Sequence, residues 1–141
     1  FAGMISVSSA MDKTGAGKLL AKFCVDLLGG TPSPLFVAAL LFLVSSFLTQ
    51  FMSNTATATL LCPIGVAIAQ QIGASPHAVV MSITIGIACA YATPVGTPPN
   101  TLVLGPGGYR FMDYVKVGTP LIFVSFIVSM IVIPIVWPFF K

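Results

Sequence analysis

Glutamate is absent from this chain, and its acidic residues are three aspartates. Charged residues make up 6% of the 141 positions, against about 25% in soluble domains. So little charge excludes a disordered segment, which needs high charge and low hydropathy. It also excludes a nucleic-acid binder, which needs a basic face, and an ordinary cytosolic enzyme domain. Cysteine is scarce too. Cys24, Cys62 and Cys89 are odd in number, lie in apolar sequence and show no metal-ligand spacing, so they read as small packing residues. No basic leader or cleavage site follows Phe1, so the start does not read as a signal peptide.

What remains is apolar. Hydrophobic residues reach 57%, and the mean hydropathy is +1.05. This is the composition of an integral membrane protein. A spanning helix takes about 20 residues, which leaves room for about four to six membrane segments. The chain opens inside an apolar run, which reads as a piece of a larger membrane protein.

The charges gather in two clusters. Asp12, Lys13, Lys18, Lys22 and Asp26 form the first; Arg110, Asp113 and Lys116 form the second; Lys141 ends the chain. No Asp, Glu, Lys or Arg occurs from Leu27 to Tyr109, and His77 reads as an interface residue. Residues 1–11 are too short to span and read as the end of a truncated helix. Within residues 12–30, Lys18, Lys22 and Asp26 recur every four positions opposite Leu19, Leu20, Phe23 and Leu27. That pattern predicts an interfacial amphipathic helix, the alternative being a solvated cap on a spanning one. Gly15-Ala16-Gly17-Lys18 is not a phosphate-binding loop, because Asp12 and Leu19 stand where that motif needs Gly and Ser or Thr.

Apolar helices are predicted over Leu35–Met52, Leu60 to about Ile72, His77 to about Thr93, and Val117 to Phe140. The turn between the second and third has Ser75 as N-cap and Pro76 at the first helical position. Ser82, Thr84, Ser125 and Ser129 are isolated and are expected to bond back to their own helices.

Polar residues concentrate instead in two breaks, Thr49 to Thr59 and Thr93 to Asn100. Irregular backbone at membrane depth survives only where it is buried in protein or lines a watery cavity. Helix N-termini there suit anions, and C-terminal carbonyls suit Na⁺. Ser53, Asn54, Thr55, Thr57, Thr93, Thr97 and Asn100 supply neutral oxygens and amide donors. Paired breaks of this kind recur in secondary transporters. The plainer alternatives are an interfacial loop at Ser53-Asn54-Thr55 and a kink or surface turn at Pro94 to Pro99.

Ser53-Asn54-Thr55-Ala56-Thr57-Ala58-Thr59, running into Leu60-Leu61-Cys62-Pro63-Ile64, resembles the second Ser-Asn-Thr signature of the divalent anion:sodium symporter family. Gly96-Thr97-Pro98-Pro99-Asn100 with Leu102-Val103-Leu104-Gly105 is similar to that family's second unwound-helix motif, and Gly105 to Tyr114 is similar to what its bacterial members carry next. The resemblance covers nearly the whole chain. It implies an all-α integral membrane fold: the C-terminal half of an inverted-repeat secondary transporter, with a re-entrant helical hairpin plus a broken transmembrane helix.

On that layout residues 34–72 form the re-entrant hairpin, residues 76–109 the broken helix and residues 117–140 the last transmembrane helix. Substrate would meet Ser53, Asn54, Thr55, Thr97 and Pro98. Na⁺ would meet Thr49, Met52, Asn54 and Gly96, with backbone carbonyls serving at Met52 and Gly96. The implied activity, no enzyme's, is Na⁺-coupled transport of di- or tricarboxylates across a bacterial inner membrane. It belongs to a full-length homodimer that includes the missing N-terminal repeat; the partners are sodium, a small anion and the lipid bilayer, with no nucleic acid. Sulfate symport within the family, an arsenite exporter, a Na⁺/H⁺ antiporter and a non-transporting membrane anchor are the other readings. Membrane-embedded carboxylates are the usual proton carriers, so the charge-free core weighs against proton coupling. Counting positive charges mildly favours a cytoplasmic first cluster; the family layout implies the reverse.

Overall fold

The computed structural model describes residues 10, 13–15, 26 and 32–140. The expectations for residues 1–11 and 12–30 fall almost wholly outside the described residues. Residues 34–136 form five helices: α1 (Pro34–Leu48), α2 (Asn54–Gln71), α3 (Pro76–Ala88), α4 (Pro98–Leu104) and α5 (Phe111–Val136).

Helix α1 starts at Pro34, a residue pre-set for the first helical position. It buries Val37, Ala38, Leu41, Phe42, Ser45 and Ser46, adjacent pairs that recur every four residues along one stripe. Phe36, Leu40, Leu43, Val44 and Phe47 stay exposed on the other side. A helix apolar all round is at home in lipid or a large protein core. The principal partner of α1 is α3, and α2 packs on α3 as well. Val37, Leu41, Leu61, Ile68, Val79, Ile83 and Ile87 form the shared core.

Small residues bring α1 and α3 together. A β-carbon on Gly86 would collide with Ser45 Oγ and lie 2.6 Å from the Phe42 carbonyl oxygen. One turn earlier, Ser82 donates to the Ala38 carbonyl at 2.6 Å. Ser82 therefore bonds across to a neighbouring helix, where back-bonding was expected. The close approach at Gly86 puts a foreign carbonyl within reach, whereas Thr84, facing outward, bonds back to Val80 O at 2.8 Å as expected. Such small-residue contacts are how helices associate in lipid, where burial supplies no drive.

Helix α5 has 26 residues, about 39 Å at 1.5 Å per residue. It is the one helix among the described residues long and apolar enough to cross a membrane, and 11% of its most apolar window is buried. It starts at Phe111 and ends at Val136, against the expected 117–140. Asp113 moves the start forward: its carboxylate accepts from the Arg110 backbone N–H at 2.7 Å, and an acid in the first turn suits the helix dipole. The end comes early because Trp137, which precedes Pro138, leaves the helical region (φ −124°, ψ 83°), as a residue before proline is biased to do. Gly118 seats α5 on the irregular segment before α4: its missing β-carbon would strike the Tyr91 carbonyl and lie 2.6 Å from Ala92 Cα.

The Gly86 contact makes a stability prediction. Gly86→Val should destabilise the fold by about 1–3 kcal/mol through overpacking. Gly105→Ala, where nothing lies within 4 Å of the added carbon, should be near neutral. Thermal unfolding of the complete protein in detergent separates them, and equal midpoints would contradict the packing described.

Candidate functional site

The first break is shorter than its sequence suggests. Helix α1 stops at Leu48 instead of Met52, and α2 begins at Asn54 instead of Leu60. The stop has a local cause. Gln50 N–H bonds to Phe47 O at 3.2 Å, one residue short of the helical partner. The Ser46 carbonyl is thereby released, and the Gln50 side-chain amide takes it at 2.8 Å. The early start of α2 also has a cause. Ser53 caps it by accepting from Ala56 N–H at 3.2 Å. Thr57 and Thr59 then turn their hydroxyls back to Ser53 O at 3.1 Å and Thr55 O at 3.0 Å. Those two threonines are helix residues, not part of the break.

The second break runs from Cys89 to Thr97, starting earlier than Thr93 because α3 ends at Ala88. No helical ladder runs through it, and Pro94 withholds a backbone donor, so side chains hold this segment. Asn100 donates its amide to Ala90 O at 2.8 Å and to Thr93 O at 3.0 Å. Thr101 donates to Pro94 O at 2.6 Å. Tyr114, on α5, donates to Asn100 O at 2.8 Å. Asn100 reads from sequence as a donor for ligand; in the structure its two amide protons go to its own chain.

The two breaks face each other. Thr49, fully buried, donates its hydroxyl to the Asn54 side-chain oxygen at 2.6 Å and closes the first break on itself. Gly96, buried, sits against it: a β-carbon there would lie 3.3 Å from both the Thr49 and Ala90 carbonyl oxygens. Thr49, Asn54 and Gly96, three of the four residues expected at sodium, are thus drawn into one place. Met52 is half-buried beside them in the chain. Of the residues expected at substrate, Ser53, Thr55 and Pro98 are exposed and Asn54 and Thr97 half-buried. Thr97 caps α4 with extended backbone, φ −142°.

Gln50 carried no role in the sequence reading, yet it joins the two breaks. Its amide donates to Cys89 O at 2.9 Å, its oxygen accepts Ala92 N–H at 3.0 Å, and its backbone carbonyl accepts the Thr93 hydroxyl at 2.8 Å. The available signal was a glutamine three residues before Ser53-Asn54-Thr55 at the end of an apolar helix.

Helices interrupted at polar residues, with the interruptions packed together, are an arrangement of membrane transporters. Residues 1–140 match the citrate transporter family model, and the chain belongs to that family. It is 41% identical over 137 residues to an uncharacterized transporter, YfbS, of Escherichia coli, covering 97% of this chain and 22% of that protein. It is 34% identical over 142 residues to a putative sulfur deprivation response regulator of Chlamydomonas reinhardtii, covering 99% and 23%. It is 30% identical over 133 residues to the sodium-dependent dicarboxylate transporter SdcS of Staphylococcus saprophyticus, covering 94% and 25%. The chain therefore spans about a quarter or less of the length of these curated relatives.

Asn100 gives the site's stability test. Asn100→Leu strands the Ala90 and Thr93 carbonyls and should cost about 1–3 kcal/mol per buried group left unpaired. A lowered thermal midpoint of the complete protein is expected; an unchanged one would mean the break is held elsewhere.

Proposed function

We propose that this chain lies within the C-terminal inverted repeat of a Na⁺-coupled secondary transporter of di- or tricarboxylates, acting in a bacterial inner membrane as part of a longer homodimeric polypeptide. The observation that carries the reading is the meeting of the two breaks at Thr49, Asn54 and Gly96. It sets a neutral oxygen-rich corner, suited to a hard cation, next to the N-terminus of α2, whose free N–H groups and dipole suit an anion.

Helix lengths support a re-entrant hairpin at residues 34–72 and a broken helix at residues 76–109. At 15 and 13 residues, α1 of the hairpin and α3 of the broken helix extend about 22 and 20 Å, short of the roughly 30 Å hydrocarbon core. Each ends at its polar break, which would put both breaks at depth. Sodium would bind through Thr49, Met52, Asn54 and Gly96. A carboxylate substrate would meet Ser53, Asn54, Thr55, Thr97 and Pro98. Asn54 belongs to both sets, which couples ion and anion through one side chain. Sodium bound first would preorganise the tip and raise affinity for the anion; linkage then requires the anion to raise sodium's affinity by the same factor.

The relative named as a sodium-dependent dicarboxylate transporter is 30% identical. Another, named for sulfur deprivation response with no anion stated, is 34% identical; sulfate is the second reading. Competition for uptake into proteoliposomes, succinate or citrate against sulfate, decides between them.

The site assignment is tested by Asn54→Ala in the complete transporter. Both Na⁺ dependence and substrate uptake should fall to background while the protein still reaches the membrane. Normal uptake by that variant would refute it.

A further inference from the structure

Both helices that end at the breaks release carbonyls there, and those carbonyls look like ligands for a cation. Two of them are already committed. A continued α1 would give Ser46 O to the Gln50 backbone N–H; here the Gln50 side chain takes it at 2.8 Å. The same amide nitrogen takes Cys89 O, just beyond the end of α3, at 2.9 Å. Both protons of a primary amide are thereby used. The amide oxygen holds Ala92 N–H at 3.0 Å. One side chain, 5% exposed, closes the ends of two helices and pins the segment between them.

A second strut runs parallel to the first. The Gln50 carbonyl accepts the Thr93 hydroxyl at 2.8 Å, and the Thr93 hydroxyl oxygen accepts Gly96 N–H at 3.1 Å. This chain of bonds ends at the residue that lies against the Thr49 carbonyl. Gln50 thus reaches the sodium corner from behind, through Thr93, without facing it.

We propose that Gln50 is a positioning residue that locks the first break to the second, holding the Gly96 segment against Thr49 before sodium arrives. The proposal rests on the transport reading above. Its physical content is preorganisation: a corner assembled in advance spares the ion the cost of ordering two mobile segments. It also divides the carbonyls of the breaks. Ser46 O, Cys89 O and Gln50 O serve the lock, so ligands for the ion come from the remainder, Thr49 O among them.

The test uses the complete transporter in detergent, with two readouts. Hydrogen exchange of the segment 89–97, measured without sodium, reports the lock. The half-saturating sodium concentration, measured by radioactive sodium binding, reports its consequence. Gln50→Met keeps the volume and removes all three side-chain bonds; it should speed exchange of that segment and raise the half-saturating concentration about tenfold or more, given three lost buried bonds. Capacity at saturating sodium should be retained, which a merely misfolded site would not allow. Should Gln50→Met fail to accumulate, Thr93→Val cuts the second strut alone and should raise the sodium requirement in the same direction. Unchanged exchange, or faster exchange with an unchanged sodium requirement, overturns the proposal. Wild-type protein indifferent to sodium overturns the transport reading and takes this one with it, and that failure shows before any substitution is made.

Discussion

Backbone N–H and C=O groups at membrane depth must find partners in the protein or in a watery cavity, and in this chain that constraint shapes everything else. Two helices stop at the breaks, so the ladder that normally satisfies the backbone is missing there. Side chains replace it. Gln50 serves Ser46, Cys89 and Ala92; Asn100 serves Ala90 and Thr93; Thr101 serves Pro94; Tyr114 serves Asn100. Among the described residues no buried side-chain nitrogen or oxygen lacks a partner. The breaks are therefore built structures, and their polarity serves the backbone first.

Packing serves the same end. Ser82 and Gly86 draw α3 onto α1, and their close contact aligns the helices so that both end at one place. Gly118 lets α5 sit on the Tyr91–Ala92 backbone, and Tyr114 on the same helix reaches the Asn100 carbonyl. The rest of α5 turns outward, with Phe123, Ile127, Ile131 and Ile135 all exposed. That surface suits lipid, or further helices of the longer protein.

Much of this was legible in the sequence, because its signals are crude and strong. The charge-free run from Leu27 to Tyr109 and the hydropathy indicate membrane helices. Proline and glycine mark where helices stop, and Ser-Asn-Thr with Gly-Thr-Pro-Pro-Asn marks where polarity gathers. Helix ends were misjudged wherever a side chain decided them. Thr57 and Thr59 look like loop residues but bond back within α2, and Asp113 starts α5 six residues early by holding the Arg110 N–H. The role of Gln50 is not legible locally, because its partners at Cys89 and Ala92 lie about forty positions away, beyond any local pattern. Asn100 stood out as polar, but an asparagine announces hydrogen bonds without saying to whom. Its amide protons went to the Ala90 and Thr93 carbonyls instead of to a ligand.

The central claim is that neutral groups on two meeting breaks hold sodium next to an anion, with no fixed charge in the segment. The Thr49 carbonyl lies against Gly96, and Asn54, held by the Thr49 hydroxyl, stands at the head of α2 where ion and anion would share it. Maps of the complete transporter by electron cryomicroscopy, in sodium and in choline, test this most directly. The account predicts a density between Thr49, Asn54 and Gly96 that is present in sodium and absent in choline. Identical maps at that corner, or a sodium-dependent density elsewhere, would contradict it.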